Sequence, residues 1–239
     1  MTDGVNGVNI EDVTTAERRQ TYHHGDLRAA LLETATELAR ESGPAAVTLR
    51  ESARRIGVSP SAAYRHFDDQ AALLDAVART ALLELADRMR SAVAEAATPP
   101  ADSAADVDAD AAVTQELARF RAVGSSYVDF ALANPGLFRT AYTSGVAGRA
   151  TDAADEHPLA DHPLRVLGEV LDRLVEVGVL APEQRGDADI AAWSGVHGLA
   201  LLVLDGVLGR RAADPQPLVD VTLDMIGLGL CAPALLSPP

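Results

Sequence analysis

The sequence of 239 residues contains no lysine, one cysteine and few aromatic residues. We attribute the absence of lysine, together with abundant alanine, to GC-rich coding rather than to mechanism. The single Cys231 excludes an internal disulfide and a cysteine-based metal cluster. No apolar run approaches the roughly 18 residues that a membrane span requires, and the polar first twenty residues lack the apolar core of a signal peptide. We therefore expect a soluble, cytoplasmic protein that does not contact membranes.

The 35 acidic residues outnumber the 20 basic ones, but the two kinds are unevenly distributed. Residues 18–67 contain eight Arg and five acidic residues, a net charge of +3, whereas the remainder carries −18 and the whole chain −15. A basic segment joined to an acidic body is typical of a polyanion-binding domain fused to a second domain. The length allows such a small domain, of about 50 residues, beside a larger one.

Apolar residues recur at intervals of three and four along most of the chain, whereas no alternating β-branched run predicts a strand. Thr48 and Glu51 form a capping box at the start of one helix, and Ser59 with Pro60 begins the next. We therefore predict an all-α fold of about nine helices, near residues 24–41, 48–55, 60–66, 69–97, 111–133, 137–147, 163–178, 187–210 and 216–231.

These patterns divide the chain into three parts. Residues 1–20 lack periodicity and are predicted to be a flexible arm. Residues 21–68 form a unit of three helices, and residues 69–239 form a larger helical domain. Within that domain the Pro- and Asp-rich segment 98–110 is predicted to be a loop.

The unit over 21–68 has the physical form of a helix-turn-helix, with two short helices joined by a turn at Gly57 and a third packed beneath them. Gly57 allows a positive φ where the chain reverses. The apolar residues of this unit are Ala53, Ile56, Val58, Ala63 and Phe67. An ordinary three-helix core with a solvated outer face is the alternative that periodicity alone leaves open.

The outer face of this unit offers groups suited to DNA. Ser61 and Ala62 are small enough to let the third helix approach the major groove closely, and Tyr64 and His66 can donate to phosphates. Thr48 presents a hydroxyl and free amides to an anion. The candidate DNA-binding residues are Thr48, Arg50, Ser59, Ser61, Ala62, Tyr64, Arg65 and His66.

The run Thr48–Phe67, with its Gly-Val-Ser turn and Tyr-Arg-His-Phe end, continues through Ala72–Leu74 and closely resembles the DNA-binding domain of the TetR/AcrR family. The resemblance implies a homodimer whose paired third helices read successive major grooves of a pseudo-palindromic double-stranded DNA operator, usually as a repressor. Gln70 stands where the family usually carries Lys, so a cationic phosphate contact is missing. We expect DNA affinity to depend more on other cations, namely Arg18, Arg19, Arg50, Arg54 and Arg65.

The segment from Trp193 through His197 to Gly198, together with Tyr22–Gly25, resembles the Trp-His-Gly subgroup of TetR C-terminal domains. Trp193 and His197 share one helix face, either as core residues with a buried hydrogen bond or as part of a ligand cavity. Five further aromatic residues lie on the predicted helices near 111–133 and 137–147. The candidate ligand-binding residues are Phe120, Tyr127, Phe130, Phe138, Tyr142, Trp193 and His197.

The last two helices are apolar on more than one face, at Ala200–Leu204 and Val221–Leu230. An intermolecular four-helix bundle would cover both faces, and a deeply buried monomer core is the competing account. The fourth helix, over 69–97, belongs to the helix-turn-helix unit yet enters the larger domain. We therefore expect this helix to transmit the effect of ligand binding to the DNA-binding unit.

One cluster could hold a metal, but each of its two His residues precedes Pro, which indicates an extended, solvated loop without fixed geometry. Its members are Asp155, Glu156, His157, Asp161 and His162. We expect no metal and no cofactor, and enzyme motifs are absent from the sequence. The sequence thus predicts a DNA-binding transcriptional regulator, released from its operator by a small, largely apolar effector. The alternative is a helical ligand-binding or protein-interaction module that does not bind DNA.

Overall fold

The computed structural model describes residues 27–96, 109–143 and 162–231. These residues form nine α-helices and no strand, which confirms the predicted all-α class. The flexible arm, the Tyr22–Gly25 segment and most of the predicted 98–110 loop lie outside the described residues. The helices are α1 Leu27–Ser42, α2 Leu49–Arg55, α3 Pro60–Ala63, α4 Gln70–Ala96, α5 Ala109–Ala133, α6 Pro135–Thr143, α7 Pro163–Glu176, α8 Arg185–Leu204 and α9 Gln216–Cys231.

Helices α1 to α3 form the helix-turn-helix unit, and local chemistry sets their ends. The Thr48 hydroxyl accepts a hydrogen bond from the Glu51 amide at 3.1 Å, and Ser59 does the same for Ala62 at 3.3 Å. Gly57 has φ +76°, which confirms the predicted left-handed turn between α2 and α3. Phe67, at the end of the unit, is buried in its hydrophobic core.

The capping-box prediction is only half correct. The Glu51 carboxylate does not return to the amide of Thr48. It receives two hydrogen bonds from the Arg54 guanidinium, at 2.8 and 2.6 Å, and a third from Arg55 at 3.4 Å. The Arg54 guanidinium is charged and offers two parallel N–H donors, whereas a backbone amide is neutral and offers one, so the nearby arginines hold the carboxylate away from the helix end.

Helix α4 runs through both parts of the molecule. Its buried face, spaced at three and four residues, begins at Leu73 against the helix-turn-helix unit and continues to Met89 among the helices of the larger domain. Twenty residues of α-helix span about 30 Å. A single rigid element therefore connects the two parts, as expected from the sequence.

A second connection is the close contact between α6 and the end of α1. A Cβ built on Gly136 would lie 2.2 Å from the Ala39 carbonyl oxygen, so only glycine allows this approach. Beside it, Arg40 donates to Asn134 at 2.5 Å and forms an ion pair with Glu84 of α4 at 2.9 Å. The end of α1 is thereby fixed to both α4 and α6.

Helices α5 and α7 pack against α4, while α8 and α9 pack against α5 and against each other. Helix α8 ends at Leu204, before the predicted residue 210, because Gly206 and Gly209 adopt positive φ values of 69° and 53°. Among the described residues, the segment Pro182–Leu204 is long and apolar enough to cross a membrane by length and composition alone. Here α8 instead packs against α5, α7 and α9.

Candidate DNA-binding surface and ligand cavity

None of the eight candidate DNA-binding residues is buried, and all lie between the start of α2 and the turn that follows α3. Ser59, Ser61, Arg50 and Arg65 are exposed, and the Tyr64 side chain is exposed to 49%. Helix α3 ends at Ala63, so Tyr64, Arg65 and His66 occupy a turn rather than the helix predicted to reach residue 66. The outer face offers hydroxyls, amides and guanidinium groups within one short stretch of chain.

The arginines of this face differ in whether their guanidinium groups are already paired with a carboxylate or are available to bind a DNA phosphate. Arg54 is paired with Glu51, whose pKa the Arg54 guanidinium lowers to about 2, so the charges of the pair offset each other at neutral pH. Arg55 is paired with Glu41 at 2.8 Å. Arg50 and Arg65 form no ion pair within the described part of the chain, and Arg18 and Arg19 lie outside it. We therefore expect Arg54 to contribute less to DNA affinity than Arg50 and Arg65 do.

The carboxylate beside Gln70 has a structural role. The Asp69 side chain accepts a hydrogen bond from the Ala72 amide at 2.8 Å and so caps α4. A helix N-terminus partly offsets a negative charge, so the repulsion that the Asp69 carboxylate would exert on a DNA backbone is weakened.

A cavity lies between α4, α5, α7, α8 and α9, with the end of α6 at its side. The space free of atoms is about 430 Å³ including its opening, but the part wide enough for the centre of a water molecule is only about 20 Å³. Its lining residues include no charged side chain among those that the structure describes. They are Met89, Phe120, Val123, Gly124, Tyr127, Tyr142, His162, Pro163, Leu164, Leu167, Ala192, Trp193, Val196, Leu223 and Ile226.

The Tyr127 hydroxyl is the centre of a hydrogen-bond network at this cavity. It accepts from Trp193 Nε1 at 3.0 Å, lies 2.9 Å from the Tyr142 hydroxyl and lies 2.7 Å from His197 Nδ1. One hydroxyl has a single proton and two lone pairs, so these three bonds use its full capacity. The network joins α5, α6 and α8.

The rings of this network also touch each other. The His197 ring centroid lies 4.7 Å from that of Tyr142, 5.3 Å from that of Trp193 and 5.5 Å from that of Phe138. Burial raises the pKa of Tyr142 to about 12 and also raises that of Tyr127, while it lowers the pKa of His197. Both hydroxyls therefore keep their protons at neutral pH.

The structure brings six of the seven candidate ligand-binding residues together. Phe120, Tyr127, Tyr142 and Trp193 line the cavity, and Phe138 and His197 pack behind them. Phe130 is buried but does not line the cavity. Trp193 and His197 share a part-buried hydrogen-bond network through Tyr127, and Trp193 also lines the cavity, while a ligand-binding role for the two residues stays a prediction.

Sequence reasoning did not assign His162 to this cavity. The backbone at His162 is extended, as predicted, but the predicted solvation is wrong, because His162 is only 6% exposed and its Nδ1 accepts from the Leu164 amide at 3.2 Å as the cap of α7. The other members of the proposed metal cluster lie outside the described residues. Within those residues no group of three His, Cys, Asp or Glu could hold a metal.

Two family models match this chain. Residues 31–77 match the model described as bacterial regulatory proteins of the tetR family, and residues 120–226 match the model described as the tetracyclin repressor-like C-terminal domain. Together they cover well over half of the sequence. The predicted Trp-His-Gly subgroup stays a prediction.

Individual proteins also resemble the chain. It is 40% identical over 72 residues to the HTH-type transcriptional regulator BetI of Rhizobium meliloti (strain 1021), a match that covers 30% of this chain and only 36% of that protein. A solved protein of unknown function from Rhodococcus sp. RHA1 has a TM-score of 0.66 and 29% identity, covering 89% of this chain and 100% of its own.

A bacterial regulatory protein in the tetR family from Rhodococcus RHA1 has a TM-score of 0.52 and 17% identity, over 86% of this chain and 98% of its own. At this identity the likeness concerns the fold.

His162 should make stability depend on pH. Burial lowers its pKa from 6.5 to about 4, so the unfolded chain binds a proton more readily than the folded one. The free energy of unfolding should therefore fall as the pH decreases from about 6.5 towards about 4, by up to about 3 kcal/mol. Denaturant titrations across this range measure the effect.

His162→Asn keeps a cap for α7 and removes the titrating ring, so its stability should vary less with pH than that of the wild type. His66→Asn, in the helix-turn-helix unit, is the matched control. An unchanged pH dependence in His162→Asn would contradict the role assigned to burial.

Proposed function

The chain belongs to the TetR family of DNA-binding transcriptional regulators, which are not enzymes, and we propose that it is a cytoplasmic repressor released from its operator by a small, largely apolar effector. The observation that supports this proposal most directly is the cavity beneath the Tyr127 network, which α4 and α6 connect to the helix-turn-helix unit. The DNA contacts, the effector and the homodimer are each argued separately.

The proposed operator contacts are the exposed groups between Thr48 and His66. Small side chains at the start of α3 permit close approach to base edges, while the flanking hydroxyl and guanidinium groups meet phosphates. Thr48 uses a lone pair to cap α2 and retains its hydroxyl proton for donation, while the Ser59 hydroxyl, which caps α3, also lies 3.0 Å from the Ser61 hydroxyl, so this pair of hydroxyls can offer a proton together. Double-stranded DNA with a pseudo-palindromic sequence is the proposed partner.

We expect Arg50→Ala and Arg65→Ala each to reduce the dependence of DNA affinity on salt by one phosphate contact, a change of about 0.9 in the log–log slope. Arg54→Ala should change the slope less, because Glu51 already offsets its charge. Equilibrium binding to the DNA upstream of the chain's own gene, over a salt series, measures these slopes. Arg165→Ala, in the larger domain, is the control.

If neither Arg50→Ala nor Arg65→Ala alters the slope, these residues do not contact the backbone. If the wild-type protein binds no duplex even at low ionic strength, the alternative of a ligand-binding or interaction module without operator binding replaces the proposal.

The structure offers two routes from the cavity to the DNA-binding surface. Met89 of α4 lines the cavity, and the same helix packs against the helix-turn-helix unit at Leu73. Tyr142 of α6 lines it too, while Gly136 at the other end of α6 contacts the end of α1. A ligand that fits one spacing of the two units better than another would shift operator affinity by the ratio of its two affinities.

Tyr127→Phe and Trp193→Phe should raise the effector concentration needed for half-release by about tenfold while operator affinity in the absence of effector stays similar, because both changes alter the cavity and neither touches DNA. A panel of small apolar compounds, screened for release of bound operator, supplies the effector. Phe130→Leu, buried but outside the cavity, is the control. Equal loss of DNA binding in all three variants would indicate core damage instead.

We propose that α8 and α9 form the homodimer interface. Six of the eight large apolar side chains exposed in the described chain lie on these helices or the turn after α8: Ile190, Leu202, Val207, Val221, Met225 and Leu228. Val221, Met225 and Leu228 follow one helical stripe on α9, whereas Ile190 and Leu202 of α8 lie about a third of a turn apart around their helix. Covering these exposed side chains with a second copy would form the four-helix bundle expected from the sequence.

Met225→Glu should yield a single-chain mass by light scattering, since a carboxylate in the middle of an apolar interface cannot be paired. It should also weaken operator binding, because a dimer reads two half-sites. Leu83→Glu places the same charge on an exposed residue of α4 and should leave the two-chain mass unchanged. A two-chain mass for Met225→Glu would place the interface elsewhere.

A further inference from the structure

The neutral His162 ring carries its proton on Nε2. Its Nδ1 accepts a hydrogen bond from the Leu164 amide, so the Nδ1 lone pair is in use and a neutral ring can hold its hydrogen only on the other nitrogen. Burial lowers the pKa of this ring to about 4, which keeps it neutral at physiological pH. The cap of α7 thereby fixes the tautomer as well as the ring position.

This Nε2–H has no partner among the residues that the structure describes. The atom is buried and forms no hydrogen bond with them, and His162 is one of the residues that line the cavity. A buried donor without an acceptor is costly, so such groups usually meet a ligand or an ordered water. The two tyrosine hydroxyls nearby are engaged with each other, and that of Tyr127 is fully used.

Apart from the hydrogen-bonded polar groups of Tyr127, Tyr142 and Trp193, the rest of the lining is apolar. No Asp, Glu or Arg belongs to it in the ranges that the structure covers, so a charged ligand would lose its hydration without gaining a counter-charge. A neutral, apolar molecule with a single polar atom suits such a surface.

We infer that the cavity binds an uncharged, mostly apolar molecule whose carbonyl-type oxygen accepts a hydrogen bond from His162 Nε2–H. The inference deepens the proposed effector response and rests on it. Because the widest part of the cavity is about 20 Å³, the ligand enters by displacing side chains, and the flexible Met89 and the tip of Ile226 are the side chains most able to move.

Two probes of equal shape test the hydrogen bond. Cyclohexanone carries the acceptor, and methylenecyclohexane replaces its oxygen with a CH₂ group. Trp193 is the only tryptophan of the chain and lines the cavity, so the NMR signal of its indole N–H reports occupancy directly. Titration of the full-length protein with each probe gives two dissociation constants. Their ratio, taken separately for wild type and variant, cancels any change in the affinity of the cavity for apolar molecules in general.

His162→Ser keeps a cap for α7, because serine is a favourable N-cap residue, but removes the donor from the cavity. We expect the preference for the ketone over the alkene to fall by about tenfold in this variant relative to the wild type, the usual effect of one hydrogen bond to a buried donor. Phe130→Leu, which removes buried volume away from the cavity, should keep the wild-type ratio.

The outcomes separate this inference from the regulator function. An unchanged ratio in His162→Ser, with both probes binding, overturns the role of Nε2–H, and no response of Trp193 to either probe overturns the cavity as a site for this class. Operator binding by the same wild-type preparation decides the regulator function independently. If the wild type does not bind DNA but His162→Ser alters the ratio, the ligand site is supported and the regulator function is rejected.

Discussion

The Tyr127 hydroxyl is the contact on which the arrangement of the cavity wall depends. It joins α5 to Tyr142 of α6 and to Trp193 and His197 of α8, and these bonds use its one proton and both lone pairs. A ligand cannot bond to this hydroxyl without displacing one of its three partners. The network therefore holds the cavity wall in place, while Nε2–H of His162, which has no partner in the described part of the chain, is the donor we propose for recognition.

The connection between the cavity and the DNA-binding unit follows from helices that belong to both. Helix α4 contributes Met89 to the cavity wall, and α6 contributes Tyr142, while Gly136 brings α6 against the end of α1 without an intervening side chain. Because protein interiors are densely packed, a small displacement of one helix is passed on to the helices in contact with it. A change in the volume of the cavity would thus reach α1 and α4 together.

The sequence predicted the helices well where their signals are local. Caps at Thr48 and Ser59, the turn at Gly57 and helical spacing of apolar residues all act within a few positions, and the structure confirms each. Signals that depend on tertiary packing were missed. His162 precedes Pro and resembles a loop residue, yet α7 and its neighbours bury it, and the close approach at Gly136 concerns a residue nearly a hundred positions away.

The cavity is narrow, and that bears on how an effector would act. Side chains must move before a molecule of six or more heavy atoms fits, so the affinity measured in solution would be lower than that of the opened cavity by the fraction of molecules that are open. The free-energy cost of opening the cavity also favours selectivity between ligands. A ligand that offers an acceptor to His162 recovers part of it by pairing a buried donor, whereas an apolar molecule of the same shape leaves that donor unpaired.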